Sequence, residues 1–331
     1  LEREKGGRLM HSLVEMLRYK RPEGSDTQKA FCKRFLEPTF GKPDQFGNYI
    51  KIIGDKPNVC FTAHHDTVHT TDGFQKLIIM NDVVSISNHA DSNCLGADCT
   101  TGVWLILGMI EFGVQGVYVI HAAEESGCQG SQHLIASDPV WLGHIDAVIS
   151  FDRKGQKSVI THQMGIRTAS DAFAKSFIDV VNMSQLEPDT TGSYTDSNEY
   201  APIVSECTNI SVGYYNQHTK NEVQDLDYAD DLLIALCQAD WSGLVFERDV
   251  TQVEDLWRNV SGGYKYNYND DNAYDLEQII VDYPTRVAEL LDSYGFNPHT
   301  LMEECQIDDM SRYYNYADHH SSDKYWKTYK N

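Results

Sequence analysis

The chain has 331 residues, of which 41% are hydrophobic and 11% aromatic, so it can bury a full core and is not expected to be disordered throughout. Its 27 basic and 49 acidic residues give a formal net charge of -22, which repels nucleic-acid phosphates and anionic lipid. No apolar run approaches the roughly 18 residues that a membrane-spanning helix needs. We therefore expect neither a nucleic-acid nor a membrane partner.

The cysteines and the first residues bear on the compartment. Eight cysteines are scattered along the chain and no CxxC pair occurs, which indicates reduced thiols and not a disulfide framework. A link between Cys94 and Cys99 is the alternative, and we favour free thiols. The first residues, LEREKGGRLM, lack the apolar core of a secretory signal. A cytoplasmic location is therefore expected.

The predicted elements alternate between helices and strands. Helical patterns near Lys5–Arg18 and Ser25–Leu36 come first, and a hairpin with its turn at Asn81-Asp82 follows two strand-like segments, GNYIKIIG and NVCFTA. A helix from about Thr100 to Phe112 is apolar on nearly every side, so we expect it to be buried against a sheet. The later segments are strands GVYVIHAA, DAVISF and CTNISVGYY and helices near 130–137, 170–185 and 227–245. We predict an α/β fold, a three-layer sandwich around a mixed, mostly parallel central sheet.

The composition changes near Val250. Eleven of the 19 tyrosines fall between Tyr264 and Tyr329, where they are mixed with Asn and Asp. The apolar spacing on either side of Pro284 predicts a helical pair. We therefore predict a main domain over residues 1-249 and a mainly helical, Tyr/Asn/Asp-rich extension over residues 250-331 that packs on it.

Histidines and carboxylates follow four of the predicted strands, at the point where each strand stops. In open α/β sheets, ligands bind beyond the carboxyl ends of the strands, so we expect these side chains to share one edge. Mixed imidazole and carboxylate ligands suit Zn²⁺ best, with Mn²⁺ or Co²⁺ as alternatives. The set comprises His64 and Asp66, Glu124 and Glu125, Asp152 and His218, together with Asp98 from the loop GADCTTG.

The order of these segments resembles the co-catalytic zinc exopeptidases, the clan of the M20 carboxypeptidases and deacylases and the M28 and M42 aminopeptidases. The matching segments are AHHDTV, LGADCTTG, HAAEESGCQGS, SFDRKG and NQHTKNE, over about residues 58–222. Only 66 positions separate Asp152 from His218, too few for the lid domain that M20 enzymes insert there. The layout is therefore most similar to single-domain M28-type aminopeptidases. Cys99 departs from the family pattern, which often has an acidic or amide residue there.

The resemblance implies two zinc ions and a role for each residue. Five residues would bind the metals: His64 and Asp152 the first, Glu125 and His218 the second, and Asp98 both. Asp66 would orient His64, and Glu124 would be the general base for a bridging water. The segment TDSNEYAP also resembles one that precedes the last ligand in M28-type enzymes, which would place Asp196 at the substrate site. We assign His65, His69, His89, His121 and His162 to hydrogen bonds or the surface.

The function implied by the resemblance is removal of the N-terminal residue from short peptides by a two-zinc metallohydrolase. One alternative keeps the chemistry but acts on a C-terminal residue or on N-acyl amino acids, as M20-like enzymes do. A second alternative is a zinc-bound scaffold that binds a partner through its tyrosine-rich extension. The sequence also leaves an oligomer open as an expectation.

Overall fold

A computed structural model of the chain describes residues 13–87 and 89–252, and within the C-terminal region only residues 280, 284, 287 and 291. The chain divides into two compact units, Leu1–Gly263 and Tyr264–Asn331. The four described residues of the second unit are helical. Apart from these and residues 250–252, the predicted extension lies outside the described residues. The boundary predicted between residues 249 and 250 therefore stays a prediction. No helix of the described part is long and apolar enough to cross a membrane.

The described part of the first unit contains fifteen strands, seven complete α-helices and the helical residues 13–16. The strands are β1 (Tyr19–Lys20), β2 (Tyr49–Ile53), β3 (Val59–His64), β4 (Gly73–Phe74), β5 (Leu77–Met80), β6 (Val83–Ile86), β7 (Gly116–His121), β8 (Ala147–Arg153), β9 (Ser158–Ile160), β10 (His162–Gln163), β11 (Ile166–Arg167), β12 (Glu187–Asp189), β13 (Glu206–Ser211), β14 (Tyr214–Tyr215) and β15 (Val223–Asp225). The α-helices are α1 (Asp26–Phe31), α2 (Glu37–Phe40), α3 (Ala97–Phe112), α4 (Gln129–Ala136), α5 (Asp171–Val181), α6 (Asp196–Tyr200) and α7 (Leu226–Gln238). A π-helical segment, Cys32–Leu36, joins α1 to α2, and short 3-10 helices span Val140–His144 and Trp241–Gly243.

Seven strands form the central sheet in the order β12-β9-β13-β8-β3-β7-β2. The four middle strands, β13, β8, β3 and β7, are parallel to one another, whereas β2 and β9 run antiparallel to their inner neighbours. The sheet is therefore mixed and mostly parallel, as predicted. The carboxyl ends of the four middle strands all lie at the same edge.

Two apolar cores cover the two faces of this sheet. Successive side chains of a strand point to opposite faces, and β3 follows this rule, with Phe61 in one core and Cys60 in the other. The larger core contains the buried residues of α3, α5 and α7, and the smaller core contains those of α4 and α6. The predicted α/β sandwich of three layers is confirmed.

Helix α3 lies closest to the sheet, as its apolar circumference predicted. A Cβ on Gly102 would lie 2.2 Å from the carbonyl oxygen of Phe151 and 3.1 Å from the Cβ of Ala63. Such contacts are too short for any side chain, so only glycine permits this approach. The helix therefore holds its N-terminal end against the edge where β3 and β8 stop.

A second sheet, of four antiparallel strands in the order β14-β15-β6-β5, lies beside the first. Its hairpin, β5 and β6, turns at the predicted Asn81-Asp82. The predicted single strand CTNISVGYY is wrong in one respect, because it is divided between the two sheets as β13 and β14. Gly213, with φ +93°, makes the bend between them.

The segment before α1 is tied to the central sheet through a buried cation. Arg21 has no exposed surface, and its guanidinium donates to the backbone oxygen of His65 at 2.8 Å and to Oγ1 of Thr100 at 2.7 Å. The guanidinium also lies 4.1 Å from the centre of the Phe31 ring. Arg21 thus joins the start of the described chain to the end of β3 and to α3.

Candidate active site and metal centre

The predicted site residues converge at the carboxyl edge of the central sheet. His64 is the last residue of β3, and Glu124 and Glu125 follow β7 by three and four residues. Asp152 is the penultimate residue of β8, and His218 lies in the turn between β14 and β15. Strands β8, β3 and β7 are neighbours and parallel, so their carboxyl ends lie together. The chain that leads to His218 leaves the sheet at the same edge, which brings all these residues to one place.

Asp98 lies between the two histidines. Its Oδ1 is 3.2 Å from Nε2 of His64, and its Oδ2 is 3.2 Å from Nε2 of His218. On the first side, Oδ1 of Asp152 lies 3.4 Å from Nε2 of His64. On the second side, Oε1 of Glu125 lies 3.2 Å from Nε2 of His218. The five residues therefore form two groups that share the carboxylate of Asp98.

The residues of this cluster fit a bound cation. Oε1 of Glu125 and Oδ1 of Asp152 are buried and accept no hydrogen bond from the described residues. A buried carboxylate oxygen without such a partner is costly, and a metal ion would satisfy it. Ligand atoms of His64, Asp98 and Glu125 all lie within 4.8 Å of one another. The mixed imidazole and carboxylate donors match the preference of Zn²⁺.

The pKa shifts of the cluster residues are also consistent with a bound cation. Burial, and then the charge of Asp98, raises the pKa of Asp152 to about 8. Burial alone would lower the pKa of His218, but its ion pairs with Asp98 and Glu125 raise that pKa to about 11. Without a metal, His218 therefore holds a proton, and metal binding would release it.

Cys99 is close enough to His64 and Asp152 to be considered as a ligand. Its thiol donates to the backbone oxygen of Phe151 at 3.0 Å, and burial raises its pKa well above the ordinary value. Because this thiol is engaged by the backbone oxygen of Phe151, we do not count Cys99 among the predicted ligands. The seven described cysteines are all free, including Cys94 and Cys99.

Asp66 contacts His64 at the end of β3 and the segment that follows β7. Nδ1 of His64 donates to the backbone oxygen of Asp66 at 3.2 Å and lies 3.5 Å from its Oδ1, which leaves Nε2 free to face the metal site. The two carboxylate oxygens accept the backbone N–H groups of Glu124 and Glu125 at 3.1 and 3.0 Å. Burial opposes ionisation, but the bonds from His64 and Glu124 lower the pKa of Asp66 to about 2. Asp66 therefore orients the histidine and also fixes the two glutamates.

Glu124 lies beside His64 and belongs to neither group of predicted ligands. Its side chain is 13% exposed, and its Oε2 lies 3.8 Å from Nε2 of His64. Burial, reinforced by the charges of Asp152 and Glu125, raises the pKa of Glu124 well above its ordinary value. A carboxyl group with a raised pKa can both accept and return a proton near neutral pH.

Asp196 lies behind the site and not on an open surface. It is 1% exposed, begins helix α6 and accepts a hydrogen bond from Oγ of Ser131 at 2.6 Å. Burial raises its pKa to about 7. The neighbouring residue makes the contact with the cluster, since Oγ1 of Thr195 donates to Oδ2 of Asp152 at 2.8 Å. Substrate binding by Asp196 stays a prediction.

Sequence reasoning missed two residues of the site, Thr195 and Glu222. The carboxylate of Glu222 accepts backbone N–H groups from the loop that carries Asp98, and burial raises its pKa to about 7. Both residues lie in segments that the sequence had singled out, TDSNEYAP and NQHTKNE. No spacing in the sequence points to the partner of Glu222, since the loop that it contacts lies more than 120 positions away.

Of the histidines assigned no metal role, the buried ones make ordinary hydrogen bonds. Nε2 of His65 lies 3.2 Å from the backbone oxygen of Gly47, and Nε2 of His121 lies 3.2 Å from the hydroxyl of Tyr200. His69 contacts the backbone oxygen of Cys94 at 3.1 Å. None of these three is in either group of predicted ligands.

Comparison with known proteins indicates a metallopeptidase with an aminopeptidase-like fold. The sequence profile of peptidase family M28 matches residues 48–202. No curated protein matches the sequence. The profile includes His64, Asp98, Glu125 and Asp152 and ends before His218.

Solved structures share the fold at low sequence identity. The aminopeptidase PepT from Bacillus cereus is 15% identical with a TM-score of 0.54, over 70% of this chain and 98% of that chain. A tripeptidase from Staphylococcus aureus is 13% identical with a TM-score of 0.57, over 70% of this chain and 97% of that chain. The TET1 peptidase of Pyrococcus horikoshii is 13% identical with a TM-score of 0.51, over 70% of this chain and 99% of that chain.

Proposed function

We propose that the chain is a two-zinc aminopeptidase that removes the N-terminal residue of short peptides. The observation that carries the proposal is the position of Asp98, whose two carboxylate oxygens face His64 and His218 at 3.2 Å each. A carboxylate with one oxygen toward each histidine is suited to bridge two ions. The first ion would be held by His64, Asp152 and Asp98, and the second by His218, Glu125 and Asp98. Mn²⁺ or Co²⁺ could replace zinc at ligands of this type.

Glu124 is the general base in this proposal. When bound, the metal pair would acidify a water molecule and polarise the scissile carbonyl. Glu124 accepts the proton of that water and later donates it to the leaving amine. Its raised pKa and its position beside His64 suit both transfers. Asp66 keeps Glu124 in position through the hydrogen bond to its backbone N–H.

The preference for a free amino terminus rests on charge and layout. The net charge of -22 and the buried carboxylates around the site favour a cationic group. The chain between Asp152 and His218 contributes strands β9 and β13, which join the central sheet, and helices α5 and α6, which cover it. These elements leave no room in that interval for the lid domain by which M20 enzymes build a carboxylate pocket. An aminopeptidase is therefore favoured over a carboxypeptidase or deacylase.

The experiment is a cleavage assay with matched substrates. The purified chain is loaded with zinc and given leucyl-nitroanilide, the N-acetylated form of the same compound, and a set of di- and tripeptides. We expect release from the free-amine substrates, loss of that release with a chelator and recovery on adding zinc. Faster cleavage of the acetylated substrate would favour the deacylase alternative, and cleavage that persisted in the fully metal-free chain would contradict the proposal.

Self-association and the cytoplasmic location remain predictions. The TET1 peptidase of Pyrococcus horikoshii can assemble into a tetrahedron or a large octahedral shell. For this chain, light scattering of the purified protein would give the number of subunits.

A further inference from the structure

The carboxylate of Glu222 is surrounded by backbone donors from one loop. Its Oε2 accepts the N–H groups of Leu95 at 2.9 Å and Gly96 at 3.0 Å. Its Oε1 accepts the N–H groups of Ala97 at 2.8 Å and Asp98 at 3.3 Å. Glu222 is 1% exposed, so these bonds are shielded from water. Four consecutive backbone N–H groups thus converge on one side chain.

This loop has no regular structure of its own to hold it. Asp98 (φ -76°, ψ 107°) and Cys99 (φ -111°, ψ 42°) have non-helical backbone angles at the start of α3. The direction of the Asp98 side chain therefore depends on what fixes the backbone of residues 95–98. Each oxygen of a carboxyl group can accept more than one hydrogen bond, so Glu222 can hold all four N–H groups at once.

The opposite side of the loop is in close contact with the segment after β3. Gly96 has φ +73°, and a Cβ there would lie 2.7 Å from Cε1 of His69 and 3.1 Å from Cγ2 of Thr67. The loop is therefore confined between this segment and Glu222. It can move toward neither side without breaking hydrogen bonds or colliding with His69.

Glu222 is itself held by the second sheet. Strand β15 begins at the next residue, where Val223 pairs with Ser85, and the backbone N–H of Glu222 donates to the oxygen of Thr219 at 3.1 Å. His218 lies four residues before Glu222. One short segment therefore supplies both the histidine of the second metal group and the carboxylate that fixes the loop of Asp98.

We propose that Glu222 is a positioning residue that sets the carboxylate of Asp98 between His64 and His218, and thereby sets the affinity for the metal pair. The proposal rests on the proposed two-metal function. Because Asp98 belongs to both groups, a displaced loop weakens both sites together. A defect confined to the His218 segment would instead weaken only the metal site that contains His218.

The test compares Glu222→Gln with Glu206→Gln. A glutamine at 222 can accept with one oxygen only, and its NH2 group would face two of the loop N–H donors. Glu206 is also fully buried and accepts backbone N–H groups, from Ser170 at 2.6 Å, Glu247 at 2.7 Å and Arg248 at 2.9 Å, but it contacts no predicted ligand. Zinc affinity is measured on the full chain by competition with a chromophoric chelator, and melting temperatures are measured with chelator and with zinc.

We expect Glu222→Gln to weaken zinc binding about 10- to 100-fold at both sites, with a fall in kcat and little change in KM. Glu206→Gln should lower the melting temperature and leave the zinc affinity unchanged. Glu222→Asp, which keeps the charge on a shorter side chain, should be intermediate, and it serves as the test if Glu222→Gln does not fold. Wild-type zinc affinity in either Glu222 variant would overturn the proposal, and so would weakening at one site only.

The same experiment separates the two proposals. A wild-type chain that binds two zinc ions but cleaves no peptide would overturn the aminopeptidase function. The effect of Glu222 on zinc affinity could still be measured in that case. A wild-type chain that binds no zinc would overturn both.

Discussion

The hydroxyl of Thr195 donates a hydrogen bond to Oδ2 of Asp152 over 2.8 Å, and this leaves Oδ1 of the same carboxylate facing His64. Outer partners of this kind fix the orientation of a metal ligand. Thr195→Val keeps the shape of the side chain and removes the donor, whereas Thr195→Ser keeps the donor. We expect the valine variant to bind zinc about 10-fold more weakly, since partners of ligands typically contribute that much.

Zinc titration of both Thr195 variants checks this expectation. The serine variant should stay within experimental error of the wild type. Equal losses in the two variants would show that the hydroxyl alone does not account for the effect, because the serine variant retains it.

The adjacent residues Glu124 and Glu125 should have different roles. Glu124→Gln removes the proposed general base, so kcat should fall by about 10²- to 10⁴-fold while the bound zinc is retained. Glu125→Gln removes a predicted ligand whose Oε1 lies 3.2 Å from His218, so bound zinc itself should fall. Activity and metal content by mass spectrometry are measured on the same samples. Loss of zinc from the Glu124 variant, or full activity in it, would contradict the assigned roles.

Metal removal should destabilise the chain. Three predicted ligands, Asp98, Glu125 and Asp152, are carboxylates in one buried cluster. The two histidines relieve part of their mutual repulsion, and bound metal ions would relieve more. A ligand that binds only the native state adds about 2.7 kcal/mol at a free concentration 100 times its dissociation constant. Thermal melts with chelator, and then with added zinc, measure the difference. The same melting temperature in both conditions would count against a metal at this cluster.

His69 should make part of the stability depend on pH. Burial, followed by the charge of Arg21, lowers its pKa from 6.5 to about 4, and its Nδ1 lies 2.7 Å from Oγ1 of Thr67. The unfolded chain therefore binds a proton at higher pH than the native chain does. The stabilisation is complete above pH 6.5 and is lost as the pH falls toward 4.

The matched variant is His69→Gln, which cannot titrate. Between pH 7 and pH 5 the wild type should lose about 2 kcal/mol more of its free energy of unfolding than this variant, following the value of one pKa unit. Denaturant titrations at the two pH values, in chelator so that metal binding does not contribute, measure the difference. Parallel losses in the two proteins would exclude His69 as the source.

The sequence predicted the parts of the fold that depend on local pattern. The apolar run before His64, the turn at Asn81-Asp82 and the apolar circumference of α3 each gave the observed element. The predicted ends of helices and strands were less accurate. The last main-domain helix was expected to reach Val245 but ends at Gln238, because the side chain of Asp240 accepts the N–H of Ser242 and begins a 3-10 turn.

Residues whose role depends on distant partners were not predictable in the same way. Glu222 acts on a loop more than 120 positions away, and Arg21 donates to residues 44 and 79 positions away. No periodicity or spacing encodes such pairings. Four of the five predicted ligands, in contrast, could be placed at one edge because each lies where a predicted strand ends. Asp98 lies in a loop, and its role came from the family resemblance.

Arg21 limits how far the chain can be truncated from its N-terminal side. The M28 profile begins at residue 48, but the guanidinium that supports the backbone of His65 and the hydroxyl of Thr100 comes from well before that point. A fragment that started at residue 48 would remove Phe31 from the larger core and leave two polar groups beneath the site without their donor. The smallest autonomous catalytic fragment must therefore extend upstream of residue 21, whatever the reach of family similarity.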